Sequence, residues 1–150
     1  MAGAVLTHNA FEAFEAKRNS DPTSLKPVDA YKAIIDELAT THSHSVRATR
    51  VARNVPFLET ATDAKYNALT NTLTPVQRQL LADMLDEEHI GGIHDVLACL
   101  TWFILTREVG LTFRGEPMQV ELSGSGLHGD YIGRRDNWAW PADEDPAPAD

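Results

Sequence analysis

The sequence predicts a mainly α fold, α+β at most. It reads as a compact helical domain around a long central helix, bent or paired, with one small β-hairpin near the C-terminus. Three observations carry this. Apolar residues recur at helical spacing through Thr74 to Glu108, TPVQRQLLADMLDEEHIGGIHDVLACLTWFILTRE. Helix-start signals precede three shorter periodic runs. A hairpin pattern occurs once, in LTF-RGEP-MQVEL.

Taken in order, Asn9 with Glu12 forms a capping box, and Ala10 to Arg18 follows as a short amphipathic helix led by Phe11 and Phe14. Asn19-Ser20-Asp21-Pro22 ends it. Pro27 opens a second helix whose stripe is Val28, Tyr31, Ile35 and Leu38. The polar run Thr40 to Ser45 reads as a loop. Arg47, Arg50 and Arg53 then fall at i, i+3 and i+6, a basic stripe if helical, and intramolecular salt bridges are expected to use it. Val55-Pro56-Phe57-Leu58 is an extended connection. Thr62 or Asp63 caps a helix to about Thr72, with Tyr66, Leu69 and Leu73 inward.

Thr74-Pro75 starts the central helix, since proline at the first helical position lacks only an N–H that would go unbonded anyway. Val76, Leu80, Leu81, Met84 and Leu85 form one stripe. Ile90, Ile93, Leu97, Leu100 and Ile104, flanked by Val96 and Phe103, form another about 170° around the axis. A straight helix of this length runs to about 50 Å, against about 35–40 Å for a compact 150-residue globule. Gly91-Gly92 sits where the stripe changes sides, so two helices or a bend there is expected. Gly110 stops the helix. The hairpin turns at Arg114 to Pro117, and Ser123 to Gly126 reads as a flexible link.

These elements fill a single domain over residues 1–140, and the Pro-rich acidic tail 141–150 has nothing apolar to pack and is expected to be disordered. A hydrophobic content of 43% and a charged content of 23% are those of an ordinary soluble globule. No run approaches the roughly 18 uninterrupted apolar residues of a membrane span. The N-terminus lacks the pattern of a signal peptide. The one cysteine, Cys99, lies in the apolar stripe, reads as core, and fits a reducing compartment, so the expected location is the cytoplasm.

The net charge of −9 is unevenly placed. Residues 1–72 carry eight basic and eight acidic side chains, whereas residues 73–150 carry five and fourteen. Neither half offers a basic platform for phosphate backbones, which argues against direct nucleic-acid binding. An acidic face instead steers a basic protein partner. The candidate partner-binding residues are therefore Glu87, Glu88 and Asp95, with Trp138 and Trp140, because aromatics beside arginines have the composition of interface hot spots. Clamping the C-terminal segment onto the core is the competing role for the tryptophans.

An alternative reading uses metal. Asp83, Glu87, Gly91 and His94 project within roughly 80° of one another on the central helix, and two carboxylates with an imidazole suit a divalent ion. His42, His44 or Arg50 would complete such a site. Against it, helical carboxylate sites draw ligands from several helices with repeated Glu-x-x-His spacing, and the sequence has only Asp86-x-x-His89. Serine nucleophile elbows, phosphate-binding loops, HExxH and dinucleotide fingerprints are absent. No cofactor is expected.

LTPVQRQLLADML, GGIHDVLACL and the late DYIGRRDNWAWP, in this order, resemble a family of small bacterial proteins characterised only as a domain of unknown function, over roughly residues 28–141. The resemblance implies a soluble, mainly helical, bacterial or phage-associated domain, and brings no activity or catalytic residue. The function expected is that of a non-enzymatic acidic interaction protein that binds and neutralises another protein, of the immunity, antitoxin or phage-encoded inhibitor type.

Overall fold

The structure is a computed structural model that describes residues 10–40, 44–57 and 60–141. It is mainly α, with six α-helices and one two-stranded antiparallel hairpin among the described residues. The order is α1 (Ala10–Ser20), α2 (Pro27–Thr40), α3 (Val46–Ala52), α4 (Ala61–Thr72), α5 (Pro75–Thr106), β1 (Thr112–Phe113), β2 (Glu116–Pro117) and α6 (Gly126–Arg135). The chain forms two compact units, one from Met1–Thr41 with His94–Asp150, the other His42–Ile93. Helix α5 belongs to both.

The central segment is one helix of 32 residues, not two. Thr74 and Gln77 start it reciprocally: Gln77 N–H donates to Thr74 Oγ1 at 3.3 Å, and Thr74 N–H donates to Gln77 Oε1 at 2.9 Å. Gly91 and Gly92 lie inside it, and a Cβ at either would meet nothing within 4 Å. No described group approaches them. A penalty of about 1 kcal/mol per glycine does not break a helix anchored on both sides of the pair, by Ala82 before it and by Leu97 and Thr101 after it.

In the first unit α1 and α6 pack against α2. Asp21 follows α1 and caps the 3-10 turn Pro22–Ser24, accepting the Thr23 hydroxyl and N–H at 2.5 and 3.0 Å, which holds its carboxyl below the usual range. Helix α2 buries Ala30, Tyr31, Ala33, Ile35, Asp36 and Ala39, so Tyr31 and Ile35 of the predicted stripe are buried while Val28 and Leu38 are half-buried. The hairpin is shorter than its sequence suggests. Arg114 and Gly115 take φ of 53° and 85° at its two-residue turn, and Phe113 stacks edge-on to Phe14 at 6.1 Å.

Ser123 to Gly126 is not a loose link. Asp130, fully buried on α6, accepts the backbone N–H of Leu122 and Ser123, both at 2.8 Å. Gly126 starts α6 at φ +79°, where a Cβ would lie 2.8 Å from the Thr101 methyl and the His128 ring.

In the second unit, Ser45 caps α3 and Thr60 caps α4 by accepting from Asp63 N–H at 3.1 Å. The cap is thus earlier than the predicted Thr62 or Asp63. Ala48, Val51 and Ala82 form the core, with Phe57, Leu81 and Leu85 packed against it. Val76, Leu80 and Met84, placed inward by the sequence, are exposed. Leu81 and Leu85 occupy the inward side, and residues one position earlier point about 100° away. Arg47 and Arg50 are helical, with Arg53 at the C-cap, yet the expected salt bridges do not form among the described residues. Arg50 instead donates to Pro56 C=O at 2.6 Å.

Candidate interaction surface

Two buried carboxylates build the scaffold of the first unit. Asp36 accepts from Arg134 Nε at 2.5 Å, Trp140 Nε1 at 3.1 Å and Ala10 N–H at 2.7 Å. Asp130 accepts the Tyr31 hydroxyl at 2.5 Å besides its two backbone donors, and that hydroxyl accepts from Glu121 N–H at 3.2 Å. Each carboxylate thus has at least three donors, which is what a buried charge requires. Burial, reinforced by the Asp130 carboxylate, raises the Tyr31 phenol above its ordinary value.

Helix α5 from His94 onward meets this unit at Thr101. The Thr101 hydroxyl donates to Leu97 C=O at 2.8 Å and accepts Leu127 N–H at 3.0 Å, tying the start of α6 to α5. Leu97 and Thr101 are buried and Ile104 half-buried. The same rotation turns Val96, Leu100, Trp102, Phe103 and Leu105 outward, with Leu105 66% and Trp102 48% exposed. Cys99 is also exposed rather than core, because it lies about 200° around the helix from Leu97. Trp102 meets Phe103 edge-on at 5.0 Å and carries the Arg107 guanidinium over its face at 4.9 Å. Asp95 stands at the start of this apolar face, with its carboxylate 3.2 Å from His94 Nδ1.

The sequence candidates fall in different places. Glu87 and Glu88 are exposed on α5 within the second unit, and Asp95 is exposed within the first. Trp138 and Trp140 are half-buried and take the clamping role. Besides its bond to Asp36, Trp140 packs edge-on against Tyr31 at 6.0 Å and Trp138 at 5.2 Å. Arg134 lies over the Trp140 ring at 5.3 Å and donates to Trp138 C=O. Gly133 faces Trp138, where a Cβ would lie 3.4 Å from the tryptophan's own.

Asp83, Glu87 and His94 are not gathered into a ligand set. Among the described residues no group of three or more His, Cys, Asp or Glu side chains is arranged to hold a metal. Asp83 accepts from Gln79 at 2.8 Å, and the His94 ring meets His128 edge-on at 5.1 Å. His44 sits 3.2 Å from Asp86, which also accepts Ser45 N–H at 2.7 Å. His42, the Asn9 cap, Leu58 and residues 142–150 lie outside the described residues.

Sequence reasoning missed Trp102 and Leu105. A signal was present: from Val96 to Thr106 the helix is apolar on nearly every side, more surface than one neighbouring element covers. By length and composition alone α5 is long and apolar enough to cross a membrane, a test that core helices of soluble proteins also pass. Glu87, Glu88 and Asp95 are the kind of charges a bilayer tolerates poorly.

Fold and surface together define a mainly α protein built on one long helix, with an acid-flanked apolar face. Residues 24–142 match the Family of unknown function (DUF6547), and the chain belongs to that family. No curated protein and no solved structure matches it.

Proposed function

We propose that this chain is a non-enzymatic, acidic, cytoplasmic interaction protein that binds another protein with a basic surface and blocks its action, as an immunity protein, antitoxin or phage-encoded inhibitor does. The observation that supports this reading is the outward face of α5 in the first unit. Val96, Leu100, Trp102, Phe103 and Leu105 are all exposed on three turns of helix. Exposed apolar patches rimmed by polar groups mark interaction sites. A tryptophan packed edge-on against Phe103 with the Arg107 guanidinium over its ring is preorganised as an anchor. Asp95 and the acidic excess of residues 73–150 favour a cationic partner over a second copy of the chain, since like charges brought together repel.

The test is affinity capture from host lysate with the wild-type chain and with Leu105→Asp, at about 50 and 300 mM salt. The expected result is one stoichiometric partner, held less tightly at high salt and lost with the variant, whose thermal midpoint stays unchanged. A partner retained by Leu105→Asp, or a chain that pairs only with itself in sedimentation, would overturn the reading. So would recovery of the chain in the membrane fraction.

A further inference from the structure

The second unit holds an open apolar pocket of about 290 Å³ that the interaction surface does not use. Val51 and Phe57 line one part, Tyr66, Leu69 and Thr70 another, and Leu81 and Leu85 its base, while Arg47 lines it as its one charged residue. The Thr70 hydroxyl is spent on Asn67 C=O at 3.2 Å, so it has no proton left to offer. Asn67 in turn fixes Phe57, accepting Phe57 N–H at 2.7 Å, which holds that wall in place. Tyr66 meets Phe57 edge-on at 6.2 Å.

Arg47 is the informative residue. It is exposed and makes no hydrogen bond or ion pair among the described residues, although the chain as a whole has excess acid. Its neighbour Arg50 is engaged by Pro56. Across the described parts of residues 44–73 four side chains are basic and only Asp63 is acidic, whereas α5, which supplies Leu81 and Leu85, carries Asp83, Asp86, Glu87 and Glu88, so the attraction for an anion is local to the Arg47 guanidinium. A guanidinium presents a planar fork that matches a carboxylate in two parallel hydrogen bonds. A phosphate dianion would want more donors, and the lining supplies no second cation.

From these features we infer that the pocket binds a small amphipathic carboxylate, with its acid group on Arg47 and its apolar body against Phe57, Leu69 and Leu85. At about 30 Å³ per water-sized volume, the space takes on the order of ten non-hydrogen atoms. That is a medium-chain fatty acid or a single-ring aromatic acid, not a long-chain lipid. The site is separate from the α5 face of the first unit, and either can fail without the other.

Octanoate is the probe, with 1-octanol as the uncharged control of equal chain length. Both are titrated calorimetrically into the full chain and into Arg47→Gln and Leu69→Trp, and the amides that shift are mapped by nitrogen-proton correlation spectra. Octanoate is expected to saturate at one per chain, to shift Tyr66, Leu69 and Thr70, and to bind at least about tenfold tighter than octanol. Arg47→Gln should bring octanoate down to the octanol level and leave octanol unchanged. Leu69→Trp, filling the pocket from its exposed rim, should abolish both. Equal binding of acid and alcohol, octanoate affinity unaltered in Arg47→Gln, or shifts confined to other residues would overturn the assignment. Failure of octanoate to saturate would do the same.

Discussion

The Tyr31 hydroxyl donates to Asp130 across 99 residues of sequence, at 2.5 Å, with both side chains almost wholly shielded from solvent. Beside it lies a second buried tyrosine, Tyr131, whose hydroxyl has no hydrogen-bond partner among the described residues. The same deletion should therefore give opposite results at the two positions. Tyr31→Phe removes a donor from Asp130 and an acceptor from Glu121 N–H, and should lower stability by about 1–3 kcal/mol. Tyr131→Phe removes a hydroxyl already unbonded, and should be neutral or slightly stabilising. Urea denaturation followed by tryptophan fluorescence checks both, since Trp102, Trp138 and Trp140 all lie in the first unit. Equal losses would mean that Tyr131 has a partner such as a bound water.

Alkali should act through the same phenol. Unfolded, Tyr31 ionises near pH 10. Folded, burial and Asp130 hold its proton to higher pH. The unfolded chain therefore releases the proton first, so this contribution is complete below about pH 10 and is lost as pH rises beyond it. The thermal midpoint should fall more steeply above pH 10 in the wild type than in Tyr31→Phe. Parallel slopes would show that Tyr31 is not the group responsible.

The pair formed by Asp36 and Arg134 is also largely shielded, with side chains 1% and 11% exposed. Asp36→Ala strands the guanidinium and removes the acceptor of Trp140 Nε1, so a loss of about 3–5 kcal/mol is expected. Adding Arg134→Met should recover part of it, because the charge left alone is then gone. Strict additivity of the two substitutions in denaturation would contradict the coupling.

Glycines divide by environment. Gly91→Ala and Gly92→Ala add a methyl group into open space on a helix interior, and each should raise stability by about 0.8–1 kcal/mol. Gly126→Ala meets both a positive φ and the Thr101 methyl, and should lower it by more than about 1 kcal/mol. Calorimetric midpoints of the three variants settle the order. A drop with Gly91→Ala would show that a group outside the described residues approaches that turn.

Much of the fold is visible in the sequence because it rests on local signals. Pro27, Thr74-Pro75 and the 3.6-residue periodicity each act within a few residues of where they appear. The start of α2, the start of α5 and the hairpin turn all follow from such signals. What escapes is what depends on partners far along the chain. Asp36 looks like an ordinary solvated acid until Arg134 and Trp140 arrive, and Asp130 gives no local hint that it will hold Leu122 and Ser123. The exposed face was misjudged for a related reason. Periodicity says that Val76, Leu80 and Met84 share a side with one another, but not whether any element covers that side. The pocket in the second unit is illegible for the same cause, since Arg47 and Leu85 meet only through packing.

The first unit is discontinuous in the chain: Met1–Thr41 must wait for His94–Asp150, while His42–Ile93 supplies the second unit between them. On a ribosome this imposes an order. Residues of the second unit can find one another as they emerge, whereas α2 is released with Tyr31 unpartnered and Asp36 held only by Ala10 N–H until Asp130, Arg134 and Trp140 have been made. At about 5–20 residues per second that interval lasts on the order of 5–20 s. Throughout it α2 offers an apolar stripe with a carboxylate that lacks its guanidinium, a natural substrate for a chaperone and a vulnerable point for a protease. A nascent chain truncated before Asp130 should accordingly be cut within α2, and one that extends past Trp140 should resist.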